Sequence, residues 1–130
     1  MRHGVHEGYE RLVFEFSAAV LPNSFAVEYS DDPRSMMMED PIDIPGEAAL
    51  FFRVSNLHPG HPDDSPAGEE LVEFGPEPYP ISQSNVFTEI HNGGRFESVG
   101  EYYIGLDVER EIRVEALDDP ARIIIDVATP

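Results

Sequence analysis

Apolar residues in this chain recur at every second position, in short runs that Gly, Pro, Asn or Asp cut off, and no stretch shows the spacing of a capped amphipathic helix. Side chains of a strand alternate between two faces, so this pattern describes strands with one face in a core. Arg11-Leu12-Val13-Phe14-Glu15-Phe16-Ser17 reads as the first clear strand, and Phe25-Ala26-Val27-Glu28-Tyr29 as the next, stopped by Ser30-Asp31-Asp32-Pro33. Ile42-Asp43-Ile44 lies between prolines and reads as an edge strand at best. Ala48 to Val54 is a more continuous apolar run, suited to a central strand. Val86 to His91 alternates and meets Asn92-Gly93-Gly94, a hairpin-turn signal. Gly100 to Leu106 and Glu111 to Leu117 follow, and Arg122 to Val127 reads as a buried strand, apolar on both faces. Many short strands of this kind predict an all-β fold, an antiparallel β-sandwich of two facing sheets.

The 130 residues suit a single domain spanning 1–130. A long irregular loop is expected at about 55–69, where Pro, Gly, His and Asp abound. Leu71 to Phe74 adds a short strand, and Gly75-Pro76-Glu77-Pro78-Tyr79-Pro80 is extended and stiffened by proline. Val27-Glu28-Tyr29-Ser30-Asp31-Asp32-Pro33 is echoed by Val114-Glu115-Ala116-Leu117-Asp118-Asp119-Pro120. The echo suggests a pseudo-repeat of two halves, each strand–turn–strand–turn–strand, packed as the two facing sheets.

The charge is lopsided: 26 acids against 8 bases, a formal net charge of −18, and every base is arginine. Such a field repels phosphate backbones and anionic headgroups, so nucleic acid is not an expected partner. It attracts cations and basic surfaces, or simply keeps the chain soluble. The absence of cysteine removes disulfides and thiolate chemistry. No apolar run approaches the ~20 residues that span a bilayer, so this segment is not expected to insert directly in a membrane. Met1-Arg2-His3-Gly4 lacks the apolar core of a signal peptide. Export would therefore rely on a signal upstream.

Ile112 to Val127, with Pro120-Ala121-Arg122 ahead of an aliphatic strand ending in Asp126, resembles the hallmark of the AMIN domain and its actinobacterial AMIN-like relatives. Gly8 to Phe16, Arg95-Phe96-Glu97-Ser98 and Ile104-Gly105-Leu106-Asp107 resemble further stretches of that group, whereas 34–83 matches nothing specific. The resemblance implies a β-sandwich found in exported bacterial proteins or lipoproteins. It also implies an extracytoplasmic, non-catalytic envelope module that binds peptidoglycan or another cell-wall polysaccharide. It transfers no catalytic residue.

Among individual residues, Arg95, Phe96, Tyr102 and Arg122 form the candidate ligand-binding set. Aromatic faces stack on sugars, and guanidinium forks grip carboxylates. Tyr9 and Tyr103 are further aromatic candidates, and strand alternation predicts that either Tyr102 or Tyr103 points outward, but not both. The ordinary reading of each aromatic is core packing, and that of Arg122 is a cross-strand pair with Glu15. His58-Pro59-Gly60-His61-Pro62-Asp63-Asp64 contains possible metal ligands, but the prolines hold the run extended and no metal site or cofactor is expected. Met36-Met37-Met38 reads as a contact patch or a cover over a sheet edge. No catalytic motif is present. Two rivals to the wall-binding module remain: an acidic interaction domain docking a basic envelope protein, and a hydrolase using paired carboxylates. The hydrolase needs two close acids with one pKa raised.

Overall fold

A computed structural model of the chain describes residues 1–15, 24–35, 39–55, 78–96, 99–117 and 122–130. The loop expected at 55–69 falls almost entirely outside these residues, as do the strand expected at Leu71–Phe74, the Met36–Met38 run, both loop histidines and the Asp118-Asp119-Pro120 turn.

Nine strands are described: β1 (Arg2–His6), β2 (Tyr9–Glu15), β3 (Ser24–Tyr29), β4 (Ala48–Ser55), β5 (Tyr79–Pro80), β6 (Phe87–Phe96), β7 (Val99–Leu106), β8 (Ile112–Leu117) and β9 (Arg122–Ala128). They form a four-stranded sheet in the order β1-β2-β9-β8 and a five-stranded sheet in the order β3-β4-β7-β6-β5. Every pairing is antiparallel. The expected all-β sandwich is what the chain forms.

The core lies between the sheets, where alternation sends every second side chain. Leu12, Phe14, Ile123, Ile125 and Val127 come from one sheet and Leu50, Phe52, Val54, Ile90, Tyr102, Ile104 and Leu106 from the other. Phe14 meets Phe52 across the gap, ring centroids 4.8 Å apart. Burying one such phenylalanine stabilises by about 2–3 kcal/mol. Ile123, Ile124 and Ile125 are all buried, as the unbroken aliphatic run predicts.

The two halves of the pseudo-repeat do not each own a sheet. Both sheets take strands from either end of the chain, because β1 and β2 pair with β9 while β3 crosses to pair with β4. The echoed segments still hold matching places: β3 and β8 are each the edge strand of a sheet, followed by the inner neighbour.

One strand is added and two local expectations are corrected. Arg2–His6 is a strand, paired with β2 through the Glu7-Gly8 turn. Ile42-Asp43-Ile44 is not a ladder strand, and only an isolated bridge joins Arg34 to Pro41. Asn92-Gly93-Gly94 is no hairpin turn either: β6 runs straight through it with a register shift between Asn92 and Gly94. Gly94 takes φ 120° there, which glycine alone adopts freely. The Tyr103 ring lies over Gly93, where an added Cβ would stand 3.1 Å from Cε2. Arg95 therefore sits on a strand, opposite Gly100.

A strap of chain, described at 30–35 and 39–47, roofs one end of the outer face of the five-stranded sheet, while Ala26, Glu28 and Arg53 on that face stay exposed. Thr88 Oγ1 donates to the Pro45 carbonyl at 2.8 Å, and the Arg34 N–H donates to the Tyr103 hydroxyl at 3.2 Å. Gly105 makes the approach possible, since a Cβ there would stand 2.1 Å from Thr88 Oγ1 and 2.5 Å from Ile44 Cγ2. At the strap's start the Tyr29 hydroxyl donates to the Arg110 carbonyl and accepts from the Arg110 N–H. This pins β3 to the turn carrying the chain from one sheet to the other. Arg110 is itself held by Asp107 through two contacts of 2.9 and 2.6 Å.

Candidate functional site

The outer face of the four-stranded sheet receives the residues alternate to the core. Its register puts Arg11 opposite Asp126, and Asp126 opposite Arg113, across three adjacent strands. The next rows hold Val13, Ile124 and Glu115, then Glu15, Arg122 and Leu117, with Arg2 opposite Val13 on β1. Among the described residues no strap covers this face, and Arg2, His6, Arg113 and Glu115 are exposed.

Half of the arginines collect here. Arg2, Arg11, Arg113 and Arg122 stand against Glu15, Glu111, Glu115 and Asp126, so the face is formally neutral. The remaining 4 arginines and 22 acids, and with them the whole charge of −18, lie elsewhere in the chain. A neutral sheet face on so acidic a body is where an anionic ligand meets the least local repulsion.

At one end the face dips into a groove of about 330 Å³ between Tyr9, Arg11, Glu111, Arg113 and Asp126. Arg11 donates to both oxygens of Asp126, from Nε at 2.8 Å and Nη2 at 3.0 Å. This fork–fork pair raises the Arg11 guanidinium pKa. The guanidinium carbon stands 5.4 Å from the centre of the Tyr9 ring, and Tyr9 stacks on His6 at 4.8 Å with planes 10° apart. The groove thus has a rigid wall of aromatic, guanidinium and carboxylate. Arg113, on the far side of Asp126, makes no ion pair among the described residues.

Behind the face, on the core side of β2, Glu10 is fully buried. Ser84 Oγ donates to it at 2.6 Å, His3 Nε2 at 2.7 Å and the Asn85 N–H at 3.0 Å. Burial pushes the carboxyl up, but these donors together outweigh it and hold the pKa below the ordinary range. Ser84 Oγ also accepts from the Val86 and Phe87 N–H groups, so Glu10 anchors the start of β6 to the opposite sheet. Glu101 is the carboxyl that burial raises, and the charged neighbour acting on it is Arg53, a cation rather than a second acid.

The expected ligand set is divided between the sheets. Arg122 lies on the outer face of the four-stranded sheet, opposite Glu15 as expected. Arg95 and Phe96 end β6 in the other sheet. Tyr102 points into the core, 3% exposed, with its ring 6.2 Å from Phe52. Tyr103 points the opposite way, as alternation requires, yet is only 6% exposed, under the strap and 5.3 Å from Phe51. Neither tyrosine offers a ring face to solvent: Tyr102 packs in the core, and Tyr103 lies under the strap. Arg11, Arg113 and Asp126 were absent from the sequence-based set. Their signal was present as arginines and an acid alternating with core aliphatics, but the register that gathers them was not.

A second depression of about 290 Å³, beside the strap, is lined by Asp31, Asp43, Glu47 and Glu109 together with Tyr29 and Ile42. No group of three or more His, Cys, Asp or Glu suited to a metal ion occurs among the described residues.

The model of the AMIN-like domain matches residues 1–129. The chain belongs to the AMIN-like domain family. No curated protein and no solved structure matches it. The match spans 34–83 as well, the stretch in which the sequence showed no specific resemblance. AMIN-like domains are generally non-catalytic binding modules of the cell envelope, typically extracytoplasmic. No helix among the described residues is long and apolar enough to cross a membrane.

Proposed function

We propose that this AMIN-like domain is a non-catalytic envelope module that binds peptidoglycan or a similar cell-wall polysaccharide through the outer face of its four-stranded sheet. It acts outside the cytoplasm, in a protein carried there by a signal or lipid anchor upstream. The observation behind this reading is the neutral, arginine-bearing face on a body of charge −18, with the His6–Tyr9–Arg11 stack beside its groove. The stack offers a sugar ring an aromatic surface already fixed in place, which keeps the ordering cost of binding low. Arg122 contributes from the same face.

Co-sedimentation with purified cell wall at moderate salt tests the reading. The wild-type domain pellets with the wall, and a domain left in the supernatant refutes it. The acidic depression favours a second reading, in which a basic envelope protein docks on Asp31, Asp43, Glu47 and Glu109. Such a complex weakens steeply as salt rises, whereas sugar stacking hardly responds.

A further inference from the structure

Asp126 stands between two arginines in the sheet register, Arg11 on β2 and Arg113 on β8. Arg11 takes both of its oxygens. The charge of Asp126 is balanced by Arg11, and among the described residues Arg113 is exposed and makes no ion pair. Its flanking acids, Glu111 just before β8 and Glu115 on it, are exposed too and make no described salt bridge to it. Arg113 thus borders the groove as a cation whose cross-strand acid is already occupied.

Its strand is also the edge of the sheet. β8 pairs with β9 alone, so its other side presents backbone N–H and C=O groups that no described strand covers. An extended peptide matches that edge in repeat and hydrogen bonding, and a sugar chain does not.

We infer that the groove binds the peptide component of the wall, with a free peptide carboxylate on Arg113 and the peptide backbone along the open edge of β8. The inference rests on the wall-binding reading and adds the chemical group that is recognised. Arg11 is the positioning residue: by holding Asp126 it keeps that acid from neutralising Arg113. The ligand carboxylate then completes the second fork, a charge-assisted contact in a site of fixed geometry.

The test uses the whole domain and three soluble probes: a wall stem peptide with a free C-terminal carboxylate, the same peptide as its C-terminal amide, and a uronic-acid oligosaccharide. Titration calorimetry is expected to show binding of the free acid, with the amide weaker by roughly tenfold or more. Arg113→Ala is expected to lower affinity for the acid to that of the amide without weakening the amide further, and Arg113→Lys to restore part of the loss. Thermal melts confirm that the exposed substitutions leave the fold intact. Equal binding of acid and amide, or no effect of Arg113→Ala, overturns the inference. Equal or tighter binding of the uronate overturns the assignment to peptide. Wall co-sedimentation separates the two failures: wall binding that persists while acid and amide bind alike leaves the wall reading standing, and its absence removes both.

Discussion

One end of the outer face of the five-stranded sheet is roofed by its own chain, whereas the outer face of the four-stranded sheet carries arginines and, among the described residues, no roof. Their inner faces are alike: both present rows of aliphatic and aromatic side chains to one core. What differs is the residue placed at the outward positions. Gly105 and Ala49 at the roofed end leave room for the strap to approach the backbone, Gly93 leaves room for the Tyr103 ring, and Tyr103 lies buried beneath the strap. Arg11, Arg113 and Asp126 on the other face are long or charged, and a chain segment laid over them would have to desolvate them. Small outward residues therefore make a sheet face part of the core, and long charged ones keep it available to a ligand.

Substitutions that treat the two faces alike should give unlike results. The largest effect is expected at the polar clamp joining the sheets beneath them: Glu10→Ala strands His3, Ser84 and the Asn85 N–H, and should cost about 3 kcal/mol in urea unfolding. The clamp also sets a pH dependence. The Glu10 pKa is lowered in the fold, so its contribution is complete above the ordinary carboxylate pKa of 4.5 and fades as pH falls below it. Glu10→Gln should flatten that acid limb of the stability curve.

Next in size is a glycine pair that compares the faces directly. Gly105→Ala on the roofed face forces Thr88 and Ile44 aside and should cost about 1–3 kcal/mol. Gly4→Ala on the open face meets only the movable His6 ring at 3.2 Å and should change stability by less than about 0.5 kcal/mol. Equal costs at the two positions would break the comparison. The smallest effect on stability is expected from Arg113→Ala, within about 0.5 kcal/mol by thermal melt, although the same change should weaken wall binding.

Much of this architecture was legible from alternation alone. β2, β4, β8 and β9 carry aliphatic or aromatic residues at nearly every core-facing place, and polar residues such as Arg11, Arg53, Arg113, Glu115 and Asp126 fall among the outward positions between them. β1 was not legible, because Arg2-His3-Gly4-Val5-His6 has one β-branched residue and gains its strand form from pairing with β2. Asn92-Gly93-Gly94 carries a turn signal in sequence. The Tyr103 ring packed on Gly93 and the bulge at Gly94 keep the chain extended there. The site was the least legible part. Arg11, Arg113 and Asp126 are 102 and 13 positions apart in succession, and only strand order brings them together. The burial of Tyr103 likewise depends on a strap whose path no local pattern encodes.

Backbone amide shift mapping with soluble wall fragments tests the central claim most directly. Perturbed amides are expected to gather at Tyr9–Val13, Ile112–Glu115 and Asp126–Ala128, with the strap at 30–35 and 39–47 unmoved. Perturbations gathered on the strap and its acidic depression, or spread evenly over both sheets, would contradict it.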